Sequence, residues 1–140
     1  MKQLSIYINN SNGKIADVIS ILDDNDIKIL ALSVSDVLDY GMLRLIVNSP
    51  DKAYELLRKE GFNLKIANTL GFYLDDNKKL SSILNILKDN NISITYIYSF
   101  MKNVNDSIAY IIKTPNLDVT ESLMKDNGFY AKLYNSQFAE

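Results

Sequence analysis

The chain has 140 residues, of which 47% are hydrophobic, and this size and composition suit one ordinary domain or two very small ones. It has neither cysteine nor histidine, which removes disulfides, the usual proton shuttle at neutral pH and the commonest metal ligand, so we predict no enzyme, catalytic residue, cofactor or metal site. The formal charge of −2 with scattered lysines lacks the basic patch that nucleic acids and anionic membranes attract, so neither is a predicted partner.

The first predicted element is a strand in which Leu4, Ile6 and Ile8 alternate with Ser5 and Tyr7. A strand that begins this early leaves no room for a signal peptide. No apolar run reaches the roughly 20 residues that a membrane-spanning helix needs. We therefore expect a soluble, cytoplasmic protein.

The rest of the first half alternates helical and strand-like patterns. Ser11 or Asn12 is a candidate cap for a first helix, and Ser49 is a candidate cap for a second helix that has Pro50 at its first position. Gly61 suits the left-handed residue that commonly ends a helix. The predicted order is strand 4–8, helix 15–22, strand 27–35, a hairpin turn at 39–41, strand 42–48, a helix from 50 that stops at Gly61, and strand 62–67.

The chain repeats itself. Residues 22–29 have a second copy 65 positions later, at 87–94, and in both copies a helical pattern ends at leucine before a polar turn and alternating isoleucines. Residues 57–62 match 124–129 at an offset of 67, which implies a two-residue insertion after Pro115. These matches indicate an internal duplication with a period of about 66 residues.

The second half is predicted as strand 70–74, helix 80–87, strands 92–100 and 107–113, a helix from 114 that ends at Gly128, and strand 129–136. Each half then has the strand and helix order of the split βαβ or ferredoxin-like unit. The predicted fold class is α+β, with two ferredoxin-like βαββαβ repeats whose antiparallel sheets carry helices on one face. The predicted domains are residues 1–67 and 68–140.

One face of the first predicted sheet is unusually apolar. If Ile6, Ile29 and Leu45 face the helices, their neighbours face the opposite side, which is too apolar to be fully hydrated. This pattern favours a homodimer that pairs face to face, although an ordinary monomer with a poorly covered sheet is the alternative. The neighbours concerned are Tyr7, Leu30, Leu32, Val34, Met42 and Ile46.

Two stretches resemble a known family. The first repeat has a polar turn with Gly13 before its first helix and then residues 25–29, Asn-Asp-Ile-Lys-Ile; the second has residues 91–100, Asn-Ile-Ser-Ile-Thr-Tyr-Ile-Tyr-Ser-Phe. With the element order, these stretches resemble the ACT domain, a small regulatory module that binds amino acids in many relatives. The whole chain is similar to stand-alone proteins made of two ACT units. The resemblance implies a non-catalytic sensor of a small amino acid or related metabolite, and a possible partner enzyme.

The resemblance also implies a ligand site. In the family, the ligand sits where two units pair, between the turn after strand one of one unit and the start of strand two of the other. Free N–H groups at a helix start suit the carboxylate of an amino acid, and amide side chains suit its ammonium group. The corresponding residues of this chain are Asn10, Ser11, Asn12, Gly13, Lys14 and Ile15 with Asn91 and Ile92.

The equivalent second pocket differs. It would combine Asp75, Asp76, Asn77 and Lys78 with Asp26, in a turn that is one residue shorter and lacks the glycine. We expect this acidic pocket to reject an anion or to attract a cation. The prediction is one amino-acid site per chain, in the first pocket.

Several residues have plainer interpretations. Asn10, Ser11 and Asn12 are residues that any strand-to-helix turn uses, and Asn91 is an ordinary loop residue in an asparagine-rich chain. The paired aspartates, 23–24 and 75–76, are typical of solvated turns rather than of acid–base or metal sites.

Two other binding functions remain alternatives. A protein–protein interaction module without a ligand is compatible with every residue. RNA binding is disfavoured because strand 41–47 has no aromatic residue and the chain is acidic.

Overall fold

A computed structural model describes residues 1–9, 13–37, 40–75, 78–129 and 133. The elements alternate in the order that the sequence patterns predict for a duplicated βαββαβ unit. They are β1 (Lys2–Asn9), α1 (Lys14–Asp24), β2 (Ile29–Val37), β3 (Tyr40–Val47), α2 (Pro50–Lys59), β4 (Asn63–Asn68), β5 (Leu70–Tyr73), α3 (Leu80–Asp89), β6 (Tyr96–Ser99), β7 (Ala109–Lys113) and α4 (Leu117–Asp126).

The first sheet has four strands in the order β2-β3-β1-β4. Alternate residues of β1 and β3 meet the apolar stripes of α1 and α2 on one face, because successive side chains of a strand point to opposite sides. The predicted ferredoxin-like order is confirmed here. The fully buried core of this half contains Leu4, Ile6, Leu43, Leu45 and Val47 from the sheet, and Val18, Leu22, Ala53 and Leu57 from the helices.

The second sheet has the order β5-β7-β6 among the residues described. Its core joins Phe72 and Ile112 from the sheet with Ile83, Leu87 and Met124 from α3 and α4. The predicted final strand, 129–136, lies outside the described residues except for Phe129 and Leu133, which are both buried. The described part therefore repeats the packing of helices on one sheet face.

All four helices end in the same way. The residue after each C-cap has a positive φ, and the next N–H donates to a carbonyl in the last turn, which is the Schellman arrangement. In the duplicated segment the N–H of Ile27 donates to the carbonyl of Leu22 at 3.0 Å, and the N–H of Ile92 donates to that of Leu87 at 2.9 Å. The repeated polar turn is therefore a helix stop. The left-handed residues that end the described helices are Asp26, Gly61, Asn91 and Gly128.

The two halves start their second helices differently. Pro50 is the first residue of α2, as predicted, but Ser49 makes no side-chain cap bond. In the second half the prediction of a start at 114 is wrong: α4 begins at Leu117, after the cap residue Asn116, whose Oδ1 accepts the N–H of Val119 at 3.2 Å. The two-residue insertion therefore lies before α4, in a turn that lengthens the connection from β7.

The strand predicted at 92–100 is shorter in the structure, where β6 covers only Tyr96–Ser99. Its partner β7 ends at Lys113, which pairs with Tyr96, so residues before Thr95 have no strand to pair with. Ile92 and Ile94 instead pack into the core of the second half.

The apolar face is only partly as predicted. One extra residue in β2 shifts the register between Ile29 and Ala31, and Leu32 and Val34 then lie opposite Leu45 and Leu43. Since directly opposite residues share a face, Leu32 and Val34 lie on the helix-bearing side, so their predicted placement is wrong.

The rest of the opposite face is largely covered. Tyr7 and Met42 pair across this face, as predicted. However, Met42 is only 8% exposed and Ile46 is fully buried within the single chain. This face is therefore not open as a whole for pairing with another copy.

The described residues divide into two compact units: a first unit that contains Lys2–Ala67, and a second unit that contains Met1 and the described residues from Asn68 to Leu133. The predicted domain limits, 1–67 and 68–140, stay a prediction. None of the helices that the structure describes has the length and apolar content needed to cross a bilayer.

Candidate functional site

The candidate site is a pocket at one end of the first sheet, where β1 ends, α1 begins and the turn from α2 leads into β4. We call it the Lys14 pocket. Its volume of about 360 Å³ lies at the lower end of the range of small-molecule sites. It is lined by Tyr7, Ile8, Asn9, Lys14, Tyr40, Glu60, Gly61, Phe62 and Asn63.

Gly13 sets the position of Lys14. It has a φ of +85°, which favours glycine, and its carbonyl accepts the N–H of Asp17 at 2.9 Å in the first turn of α1. Lys14 is therefore the first residue of the helix, and its Nζ lies 5.9 Å from the centroid of the Phe62 ring. Such a cation–π contact contributes roughly 0.5–1 kcal/mol at an exposed site. The contact holds a positive charge at the pocket.

The turn between α2 and β4 supplies the other side. Glu60 is the C-cap of α2, Gly61 has a φ of +89°, and the N–H of Phe62 donates to the carbonyl of Leu57 at 3.1 Å. Apart from its chain neighbours, no described residue places an atom within 4 Å of a Cβ built on Gly61. We call Glu60, Gly61 and Phe62 the Gly61 corner; it combines an acidic residue, a glycine beside open space and an aromatic ring.

The charges of the pocket have opposite sign. Among the described residues, neither Lys14 nor Glu60 forms an ion pair. Tyr7 and Tyr40 form a tilted ring pair with centroids 5.6 Å apart, and Asn9 and Asn63 add amide groups. The pocket therefore has an ammonium group, a carboxylate and apolar ring surface, which together match a small zwitterion.

The second unit builds the same corner with its own lysine. Lys78 Nζ lies 5.4 Å from the centroid of the Phe129 ring. It also lies 3.3 Å from the point where a Cβ on Gly128 would be placed. We call Gly128, Phe129 and Lys78 the Gly128 corner. The lysine occupies in this corner the space that is open beside Gly61.

The predicted site residues have different outcomes. Lys14 lines the pocket and Gly13 positions it, while Ile15 is 39% exposed and does not line the pocket. Asn10, Ser11 and Asn12 lie outside the described residues. Asn91, with a φ of +58°, and Ile92 form the helix stop after α3 and belong to the second unit. A site shared between Lys14 and Asn91 stays a prediction.

The predicted second pocket is described in part. Asp26 has a φ of +56° and forms the helix stop after α1, and Lys78 packs on Phe129. Asp76 and Asn77 lie outside the described residues. Among the residues that the structure does describe, no three carboxylates converge as a bound metal ion requires.

The sequence interpretation missed Tyr40, Glu60 and Phe62 as pocket residues. The duplication had marked Gly61 and Phe62 against Gly128 and Phe129, but only as a helix end followed by a strand. No local pattern places this turn beside the start of α1, because 46 residues separate Lys14 from Glu60.

A larger cavity of about 450 Å³ lies in the second unit, beside the start of α4. Several of its polar groups already have partners: Asn116 accepts the N–H of Val119, and the hydroxyls of Thr114 and Thr120 are 2.7 Å apart. Lys113 Nζ donates to the carbonyl of Asn68 at 2.7 Å. The Lys14 pocket is therefore the better candidate.

A family model described as an ACT domain pair matches residues 1–133. No curated protein matches the chain. Among solved structures, protein BT0572 from Bacteroides thetaiotaomicron is similar, with 29% identity and a TM-score of 0.86 over 99% of this chain and 95% of that one.

Two further structures are regulatory subunits of aspartate kinase and share the fold. The subunit from Thermus thermophilus has 12% identity and a TM-score of 0.61, over 91% of this chain and 92% of that one. The subunit from Thermus flavus has 12% identity and a TM-score of 0.59, over 89% and 88%. Because the family model spans nearly the whole chain and the fold agrees with it, this protein belongs to the ACT domain pair family.

Proposed function

We propose that this protein is a non-catalytic regulator that senses a small free amino acid, or a closely related metabolite, in the Lys14 pocket. The observation that carries the proposal is the presence of Lys14 and Glu60, of opposite charge, on one cavity of about 360 Å³. An α-amino acid carries both complementary charges on neighbouring atoms. The proposed site extends to the turn residues Asn10, Ser11 and Asn12, while a ligand role for Asn91 and Ile92 stays a prediction from the family resemblance.

The difference between the two repeats supports one site per chain. Lys78 fills the space beside Gly128, whereas, apart from its chain neighbours, no described residue places an atom within 4 Å of the corresponding point on Gly61. A ligand entering the second corner beside the glycine would have to displace this lysine. In the first corner Lys14 lies over the Phe62 ring but leaves the space beside Gly61 open among the described residues.

The proposed output is a change in the binding of a partner enzyme. Two similar structures are regulatory subunits of aspartate kinase, and a regulatory subunit acts through the enzyme it accompanies. An amino acid can drive such a change only if it binds two arrangements of the protein with different affinities.

A cytoplasmic homodimer is part of the proposal, and two of the residues first expected to pair, Leu32 and Val34, would form its interface through the edge of the sheet instead of its face. Leu32 and Val34 are 38% and 48% exposed on β2, an edge strand of the first sheet. If two copies of β2 paired antiparallel about Ser33, Leu32 of one copy would lie opposite Val34 of the other. This arrangement is self-complementary, as a two-fold interface requires.

The test is a thermal-shift screen of the full chain against the twenty amino acids and related metabolites, with RNA as a control. A ligand at 100 times its dissociation constant should stabilise the protein by about 2.7 kcal/mol. We expect one or a few amino acids to raise Tm.

Charge-removing variants test whether the change in Tm arises from binding in the Lys14 pocket. Lys14→Gln and Glu60→Gln should reduce the shift, whereas Lys65→Gln and Glu55→Gln, which alter exposed charges outside the pocket, should leave it unchanged. A flat screen would reject the sensor function and favour an interaction module without a ligand.

A further inference from the structure

We infer that the Gly61 corner is the seat of the ligand's amino group, and that Lys14 takes its carboxylate. This inference rests on the proposed function, since it names the recognition chemistry of the same pocket. Glu60 is then the residue that selects a ligand with a free amine.

The second unit provides the first observation. Its Gly128 corner already holds an ammonium group, that of Lys78, against the face of Phe129 and beside Gly128. An aromatic face attracts a cation through its quadrupole, and a glycine leaves room for the cation to approach the backbone. The corner is therefore a cation site that the chain fills with its own side chain.

The first unit has the same frame, but its lysine lies away from the glycine. Gly61 and Phe62 occupy the positions of Gly128 and Phe129 after a helix stop of the same geometry. Lys14 Nζ lies over the Phe62 ring at 5.9 Å, against 5.4 Å for Lys78 over Phe129. Apart from the chain neighbours of Gly61, no described residue places an atom within 4 Å of its Cβ position, so among these residues the space beside Gly61 is open.

The residue before the glycine is neutral in the second corner and acidic in the first, as this inference requires. In the second unit it is Asn127, whose amide donates to the carbonyl of Leu123 at 2.7 Å and carries no charge. In the first unit it is the acidic residue Glu60, which lines the pocket. An acidic side chain is thus present at the corner whose own lysine lies away from the glycine, where it can pair with an ammonium group that enters beside Gly61.

Lys14 provides the positive charge that would pair with the carboxylate of the ligand. It is the first residue of α1, where unpaired N–H groups and the helix dipole also favour an anion. A zwitterion placed with its amine at Glu60 and its carboxylate at Lys14 satisfies both charges, whereas the reverse placement sets like charges together.

The experiment uses three probes: the amino acid that binds most tightly in the panel of twenty, its des-amino carboxylic acid, and its decarboxylated amine. Dissociation constants are measured by titration calorimetry with the full chain and with Glu60→Gln, Lys14→Gln and the control Glu55→Gln. Glu60 and Glu55 are both exposed, so these variants should fold alike, and Tm without ligand checks this.

We expect Glu60→Gln to raise the dissociation constants of the amino acid and the amine by about fivefold and to leave that of the des-amino acid unchanged. A fivefold change is near the upper limit for an exposed ion pair. Lys14→Gln should raise the dissociation constants of the amino acid and the des-amino acid but not that of the amine. An equal effect of Glu60→Gln on the amino acid and the des-amino acid, or no effect on either, would overturn the inference while the sensor function stands. Failure of all twenty amino acids to bind would overturn the inference, and failure of the related metabolites as well would overturn both.

Discussion

The residues that end the helices affect local folding, and two of them also shape the corners of the two units. Every described helix stops at a left-handed residue, and the chain uses glycine at two of these positions, aspartate at one and asparagine at one. Glycine adopts this conformation without steric cost, asparagine and aspartate tolerate it, and other residues pay about 1–2 kcal/mol. Gly61 and Gly128 also shape the two corners, so a change at either position alters a helix end and a corner together.

Gly61→Ala should destabilise the protein by about 1 kcal/mol. The substitution isolates the backbone cost of a φ of +89°, because a Cβ at this position meets no atom within 4 Å. Urea denaturation measures the change in the free energy of unfolding. Gly41→Ala is the control, since its Cβ would make ordinary contacts at 3.7 Å and its φ is not positive; a larger loss there would contradict the explanation.

Asp26→Gly should instead stabilise the protein by about 0.5 kcal/mol. Relief of the left-handed strain at a φ of +56° exceeds the entropy that glycine adds to the unfolded chain. The same denaturation experiment measures the gain. Amino-acid binding should be unchanged, because we assign Asp26 to the helix stop, and a loss of binding would show that this residue has a ligand role.

The residue scale also shows how much of the site the sequence reveals. Gly13 and Lys14 were predicted by resemblance, on a glycine-containing turn and a helix start that are visible as local features of the sequence. Asn91 was predicted as a ligand residue by resemblance, and the structure gives it a local role in a Schellman turn. Glu60 and Phe62 were missed because they come near Lys14 only when the chain is folded.

At the scale of elements, the second helix of each repeat depends on different start signals. The start of α2 relies on Pro50, whose fixed φ suits the first helical position, while α4 relies on the side chain of Asn116. The two-residue insertion before α4 separates Pro115 from the helix start. The sequence pattern detected the insertion but assigned the helix start to the proline.

Asn116→Ala should therefore cost about 1 kcal/mol, the usual effect of losing a capping side chain. Ser49→Ala should change stability by less than about 0.5 kcal/mol, because Ser49 makes no cap bond. Both values follow from thermal or urea denaturation of the two variants. Equal losses would mean that the two helices start alike, contrary to the observed hydrogen bonds.

At the scale of the whole molecule, association is the property most open to experiment. Val34→Lys should raise the dissociation constant of the proposed dimer by about tenfold or more, since it buries an unpaired charge at the paired edges. Sedimentation velocity over a range of concentrations measures this. Val119→Lys, which alters an equally exposed valine on α4, should leave association unchanged. A wild-type chain that stays monomeric, or a variant that still dimerises, would reject pairing through β2.

The sequence by itself determined the duplicated ferredoxin-like order, the helix stops and the membership suggested by resemblance, because apolar periodicity and left-handed turn residues act over a few positions. Tertiary structure decided the rest. A single bulge in β2 moved Leu32 and Val34 to the other face, since a shift of one residue reverses every side chain beyond it. The meeting of Lys14 with Glu60 and Phe62, and the filling of the equivalent corner by Lys78, depend on contacts between residues far apart in the chain, which no local pattern encodes.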